Sequence, residues 1–207
     1  IFQLRRTQKW RAQHRHDAKP YRGFWRIAAW ALGFFTLLTV GLAIYQVQQF
    51  TPLPKVGNQW LVAKDFDQLQ WYGRGPEETY WDRKNELRMG VYGGTVREQF
   101  VPYIRPQENG NKADVRWATL TDTSGIGLLV KGENLNISAH HYSLENLTTA
   151  GHTVELQDAD YTTFNVDFQQ QGLGGDNSWQ PRTHSEYLLS EKSYRYKYRI
   201  RAVEIEK

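Results

Sequence analysis

Between residues 50 and 205, this 207-residue chain is cut into short aromatic and β-branched runs by turn signals, with no convincing long helix among them. Strand-like runs cover 59–66, 69–72, 91–103, 115–121, 126–131, 152–157 and 162–169. GRGP at 73–76, Asn109-Gly110 within PQENGNK, and TDTSG at 121–125 each favour a tight turn. Asn109-Gly110 predicts a hairpin between the strands on either side of it. Near the end, Tyr194, Tyr196 and Tyr198 alternate with Arg195, Lys197 and Arg199, the period of a half-exposed final strand over 194–203. Aromatic residues make up 14% of the chain, which favours sheets over helical bundles. One short helix is expected near 143–150, with Ser143 as its N-cap and Gly151 at its C-terminal end. The fold class that follows is all-β, antiparallel, and the length suits one domain with an appendage.

Charge sets the appendage apart. Residues 1–26 hold eight of the 26 Lys and Arg but one of the 22 acids, Asp17, so the net charge of +4 belongs to that arm. No nucleic-acid partner is expected for the chain as a whole, although the arm itself could touch phosphate or anionic lipid. Residues 27–45, IAAWALGFFTLLTVGLAIY, then run for 19 positions without a charge, which meets the length and flank criteria of a transmembrane helix. Their second half reads equally as strands, since Thr36, Thr39, Val40 and Ile44 are β-branched and Gly41 can turn. Both readings stay open here, and the expected division is an arm with an apolar segment over 1–35 and a sheet domain over 36–207. The absence of cysteine excludes disulfides and thiol chemistry, and suits a cytoplasm without ruling out a periplasm. The chain opens on Ile1 rather than methionine, as a fragment or a processed product would.

The stretch 172–181, GLGGDNSWQP, carries the strongest functional signal. Gly172, Gly174 and Gly175 permit positive φ and close backbone approach, and Asp176, Asn177 and Ser178 can hydrogen-bond their own backbone. They deliver one large aromatic, Trp179. An indole on such a loop suits the C–H face of a sugar, a contact worth on the order of 1 kcal/mol. The plainer alternative is that Trp179 plugs its own core.

Three blocks in one order, WYGRGPEETYWDR at 71–83, PYIRPQENGNKADVRW at 102–117 and GLGGDNSWQP, resemble the C-terminal β-sandwich domain of family 2 β-galactosidases, which is the small chain where the enzyme is split. The likeness runs from about residue 50 to 200. It implies a galactose mutarotase-like supersandwich, incomplete at its N-terminus, in which the segment around 36–49 forms a degraded hairpin. It also implies that the tryptophan matching Trp179 reaches the active-site mouth and stacks on the sugar, with Asp176 and Asn177 as further substrate-binding residues and Gly172, Gly174, Gly175 and Ser178 shaping the loop. The implied partners are a catalytic barrel domain or large subunit and a galactoside such as lactose, in a cytoplasmic oligomer. The family's magnesium lies in that barrel, so no cofactor is expected in this chain.

Glycoside hydrolysis ordinarily needs two carboxyl groups flanking the scissile bond. The acids here are scattered through turns, and the family's glutamates lie in the barrel. No catalytic residue is expected, and the isolated chain should be inert. Adjacent Glu77 and Glu78 point in opposite directions on an extended chain and read as salt-bridged loop residues. Adjacent His140 and His141 likewise cannot share a metal, and no metal site is expected. A reading of another class is a membrane-tethered carbohydrate-binding module anchored by 27–45.

Overall fold

A computed structural model describes residues 19–47, 52–177, 179 and 182–205, with side chains of the first helix described over 26–42. Two compact units result, Ile1–Thr51 and Pro52–Lys207.

In the first unit, Lys19–Val47 forms one helix, α1. The hairpin expected over 36–49 is therefore not formed at its described positions. The physical reason is local: a helix closes each N–H on its own chain, whereas a strand needs a neighbour. The β-branched residues cost at most about 0.7 kcal/mol each. Thr36 and Thr39 also turn their hydroxyls onto the carbonyls of Leu32 (2.8 Å) and Thr36 (2.9 Å). Of the two readings open for 27–45, the strands are replaced by helix, and among the described residues no helix is long and apolar enough to cross a membrane. Most of the basic arm, 1–18, lies outside the described residues.

Among its described residues the second unit contains seven strands: β1 (Lys55–Ala63), β2 (Gln68–Gly75), β3 (Arg88–Thr95), β4 (Lys112–Thr121), β5 (Ile126–His140), β6 (Tyr161–Gln170) and β7 (Tyr198–Glu204). They form one antiparallel sheet in the order β1-β6-β5-β4-β2-β3, with β7 pairing β5. This is the all-β architecture expected of a sandwich. Strand β5 is long enough to serve two neighbours along one edge while β4 takes the other: Ile126 to Gly132 pair with β7, and Asn136 to His140 pair with β6. A helix, α2 (Leu144–Thr149), follows β5, and the Ser143 hydroxyl caps it by accepting from the Asn146 N–H.

Alternation puts Leu69 and Trp71 of β2, Leu120 of β4, Ile137 of β5 and Phe164 and Val166 of β6 in one buried cluster. Each such side chain contributes on the order of 2 kcal/mol. On the opposite face of β5 and β6, buried polar groups bond to one another: Asn165 donates to Ser138 (2.9 Å) and Asn111 to Asn136 (2.9 Å). The expected final strand begins only at Tyr198, but the alternation leading into it holds, with Tyr194, Tyr196 and Tyr198 half-buried, Arg195, Lys197 and Arg199 exposed, and Tyr194 and Tyr196 packing on Phe168.

Several expected elements differ. Residues 91–103 extend only to Thr95, because Thr95 and Glu98 form a reciprocal capping box (2.7 and 3.2 Å) that starts the turn Arg97–Gln99. Asn109-Gly110 is not a hairpin, since β2 lies between β3 and β4. The Asn109 side chain instead accepts from the Val101 N–H (3.0 Å), and Gly110 adopts φ +70° with its N–H on Glu78 (2.7 Å). Residues 152–157 hold a short 3-10 turn, Thr153–Glu155, rather than a strand. There the Glu155 carboxylate turns back onto the Gly151 N–H (2.8 Å), a local bond that competes with a ladder.

Candidate functional site

The segment before β3 builds a fixed platform. Thr79 is locked to the start of β4 by three bonds of 2.7 Å: its N–H to the Asn111 carbonyl, its own carbonyl from the Asn111 amide, and its hydroxyl from the Ala113 N–H. The chain then closes a tight turn in which Tyr80 and Arg83 exchange backbone hydrogen bonds of 3.1 and 2.9 Å. Asp82 stands at the tip of that turn, and Arg83 is one of the two residues that close it.

The glycine loop rests on this platform. Asp82 accepts the Gly174 N–H through one carboxylate oxygen at 2.7 Å, and the Arg83 guanidinium donates to the Gly174 carbonyl at 3.1 Å. Gly174 and Gly175 adopt φ of +68° and +78°, the left-handed region that favours glycine. Gly172 is needed for space: a Cβ there would lie 2.6 Å from the Asp82 carboxylate and 2.8 Å from Tyr187. The Gly172 N–H donates to the Tyr187 carbonyl (2.9 Å), its carbonyl accepts from Thr183 (2.7 Å), and Trp81 meets the Tyr187 ring edge-on at 5.7 Å.

Within the loop, Asp176 pairs with His184 at 3.0 Å, which holds the Asp176 carboxyl below and the His184 imidazole above their ordinary ranges. The Asn177 side chain accepts the Trp179 N–H at 3.0 Å, the two-residue turn that asparagine favours. Trp179 is 91% exposed, so it does not plug this unit's core. Ser178 lies outside the described residues, as do Gln180 and Pro181. The sequence pattern named the glycines and the indole but not Asp82, Arg83, Tyr187 or His184, which reach the loop through tertiary contacts. The mixed acid, aromatic and arginine content of 77–83 was the available signal.

The other titratable candidates face structural partners. Neither Glu77 nor Glu78 joins an ion pair among the described residues, which corrects the salt-bridge expectation. Glu78 instead accepts from Tyr80 (3.4 Å), Tyr103 and the Gly110 N–H, and burial with that contact pushes the Tyr103 phenol up to about 12. Two side chains separated by one position do face the same way, and the backbone carries Gly110 to meet them. His140 bonds the Asn109 carbonyl (2.9 Å), while His141 bonds Asp67 (2.8 Å) and Thr162 (3.2 Å). Among the described residues no group of three or more histidines and carboxylates converges as a metal site would require.

Against this geometry, comparison with known proteins is specific. The sequence model of the family described as "Beta galactosidase small chain" matches residues 34–200. A β-galactosidase of Priestia megaterium is 45% identical over 144 residues, covering 69% of this chain and 14% of that protein. One from Pseudoalteromonas haloplanktis is 40% identical over 146 residues, covering 70% and 14%. BgaC of Bifidobacterium adolescentis is 38% identical over 141 residues, covering 66% and 13%. An all-β domain carrying an exposed indole on a braced glycine loop is thus placed in a glycoside hydrolase context. The chain belongs to the β-galactosidase small-chain family, and it spans about one seventh of the length of the curated relatives it matches.

Proposed function

We propose that this chain is the noncatalytic sugar-contacting part of a β-galactosidase, capping a catalytic barrel supplied elsewhere and presenting Trp179 to the galactoside. The observation that carries the reading is the indole itself: 91% exposed, and delivered by a loop whose backbone is pinned on both sides of Gly174. An exposed aromatic on a braced loop gives up little entropy on meeting a ligand, and a sugar's C–H face is the apolar surface that fits it. The acid/base and nucleophile glutamates, and the family's magnesium, belong to the barrel. Within this reading the substrate is a terminal β-galactoside such as lactose, the assembly is an oligomer, and its place is the cytoplasm.

The test is Trp179→Ala in the assembled enzyme. The expected result is a KM raised about 5- to 10-fold, in line with an aromatic contact of about 1 kcal/mol, with the melting temperature unchanged. An unchanged KM with a lowered melting temperature would remove the stacking role. The chain alone, assayed with a chromogenic galactoside, is expected to show no hydrolysis.

A further inference from the structure

The geometry points to Asp82 and Arg83 as positioning residues for Trp179: together they clamp the Gly174 peptide and so fix the direction in which the loop carries its indole. The inference rests on the reading of Trp179 as a sugar contact, and extends it to two side chains that lie outside the loop.

Gly174 is the natural place for such a clamp. It begins a pair of left-handed residues, and a backbone with two consecutive positive φ angles has few side-chain contacts of its own to hold it. Asp82 takes the N–H of this residue and Arg83 holds its carbonyl, so the peptide planes on either side are both oriented. The clamp is itself rigid. Its turn is closed by the Tyr80 and Arg83 backbone pair, its root is nailed to β4 through Thr79, and Tyr80 is buried in the core. Gly172 packs against the same Asp82 carboxylate so closely that any Cβ would displace it. A continuous chain of contacts therefore runs from β4 through Thr79 and the 80–83 turn to Gly174, from which the loop backbone leads to Asn177, whose side chain accepts the Trp179 N–H. Charge-assisted bonds of the Asp82 kind are the stronger class, which suits a bond that must hold a peptide plane in an exposed loop.

The test has two arms. In the first, hydrogen exchange of the loop over 172–179 is measured in the 207-residue chain. Asp82→Ala is expected to speed exchange at Gly174 by at least about 10-fold, and Asp82→Asn, which keeps an accepting oxygen, to restore protection to within about 3-fold. Arg83 is exposed, so Arg83→Ala loosens the same peptide without opening a buried site and covers the case in which Asp82→Ala does not fold. Unaltered protection in the alanine variants, or equal loss in Asp82→Asn, overturns the clamp. In the second arm, KM for a galactoside is measured in the assembled enzyme. Asp82→Ala is expected to raise KM about 3- to 10-fold with kcat changed less than about 2-fold, and the double variant with Trp179→Ala to be no worse than Trp179→Ala alone, because coupled residues do not add. A double variant that multiplies the two effects overturns action through Trp179. If Trp179→Ala leaves KM unchanged while the loop still loosens in Asp82→Ala, the sugar-stacking reading has failed and the clamp has not.

Discussion

The Lys112 ammonium sits 4.8 Å from the centre of the Trp71 ring and donates to the Pro76 carbonyl at 3.1 Å, with only 2% of the residue exposed. No carboxylate pairs with it among the described ion pairs. Burial pulls its pKa down to about 8, with Glu78 and Glu77 opposing the shift from a distance. The folded chain thus loses this proton before the unfolded chain, whose lysine titrates near 10.4. Below pH 8 both states are charged and the desolvation cost is carried in full.

Two consequences follow for Lys112. Stability should rise as pH climbs from about 8 to about 10.4, because the unfolded state binds more protons there. Lys112→Met, which keeps the length of the side chain, should abolish that rise and stabilise the chain by about 1 kcal/mol at pH 7, seen as a melting temperature about 2–4 °C higher. A lower melting temperature would mean that the Trp71 face and the Pro76 carbonyl more than offset the desolvation.

Asp167 makes the opposite pH signature. It is 1% exposed, one carboxylate oxygen lacks a hydrogen-bond partner, and Lys55 stands at 3.6 Å. Burial raises its pKa to about 7, the Lys55 charge only partly countering it. Between about pH 4 and pH 7 the folded state then holds a proton that the unfolded state has released, so stability should fall as pH rises through that window. Chemical denaturation at pH 4 and pH 8 should show about 4 kcal/mol of this loss in the parent and a flatter profile in Asp167→Asn, since each tenfold difference in proton affinity between the folded and unfolded chain is worth about 1.4 kcal/mol. Equal slopes in parent and variant would assign the proton elsewhere.

The loop glycines should separate by mechanism. Gly172→Ala drives a methyl into the Asp82 carboxylate and Tyr187, an overpacking of about 1–3 kcal/mol that disturbs the platform under Gly174. Gly174→Ala meets a left-handed φ of +68° and costs about 1 kcal/mol of backbone strain. Calorimetry should therefore rank Gly172→Ala as the more destabilising, and the reverse order would show that the loop relaxes away from Asp82.

The sheet was legible where side chains alternate or where a cap has its own sequence signature. Tyr194, Tyr196 and Tyr198 announced their buried side, and Ser143 announced α2. Elsewhere a local signal was correct in kind and wrong in consequence. Asn109-Gly110 does supply a positive φ, yet it joins no hairpin, because the neighbour of β4 on that side is β2. The β-branched residues of 36–47 favour strands only when another strand is available to pair, and there the chain closed its hydrogen bonds on itself as α1.

What the sequence determined alone was what depends on residue type and near neighbours: an all-β core, the glycines that allow the loop its φ angles, the asparagine turn beside Trp179, and the family to which its three blocks point. Only the tertiary structure decided that the indole faces outward and that Asp82 and Arg83 hold Gly174. Those contacts join positions 92 and 91 residues apart. No periodicity or spacing encodes such a pairing, since it comes into being only when β4 fixes Thr79 and brings the 80–83 turn under the loop.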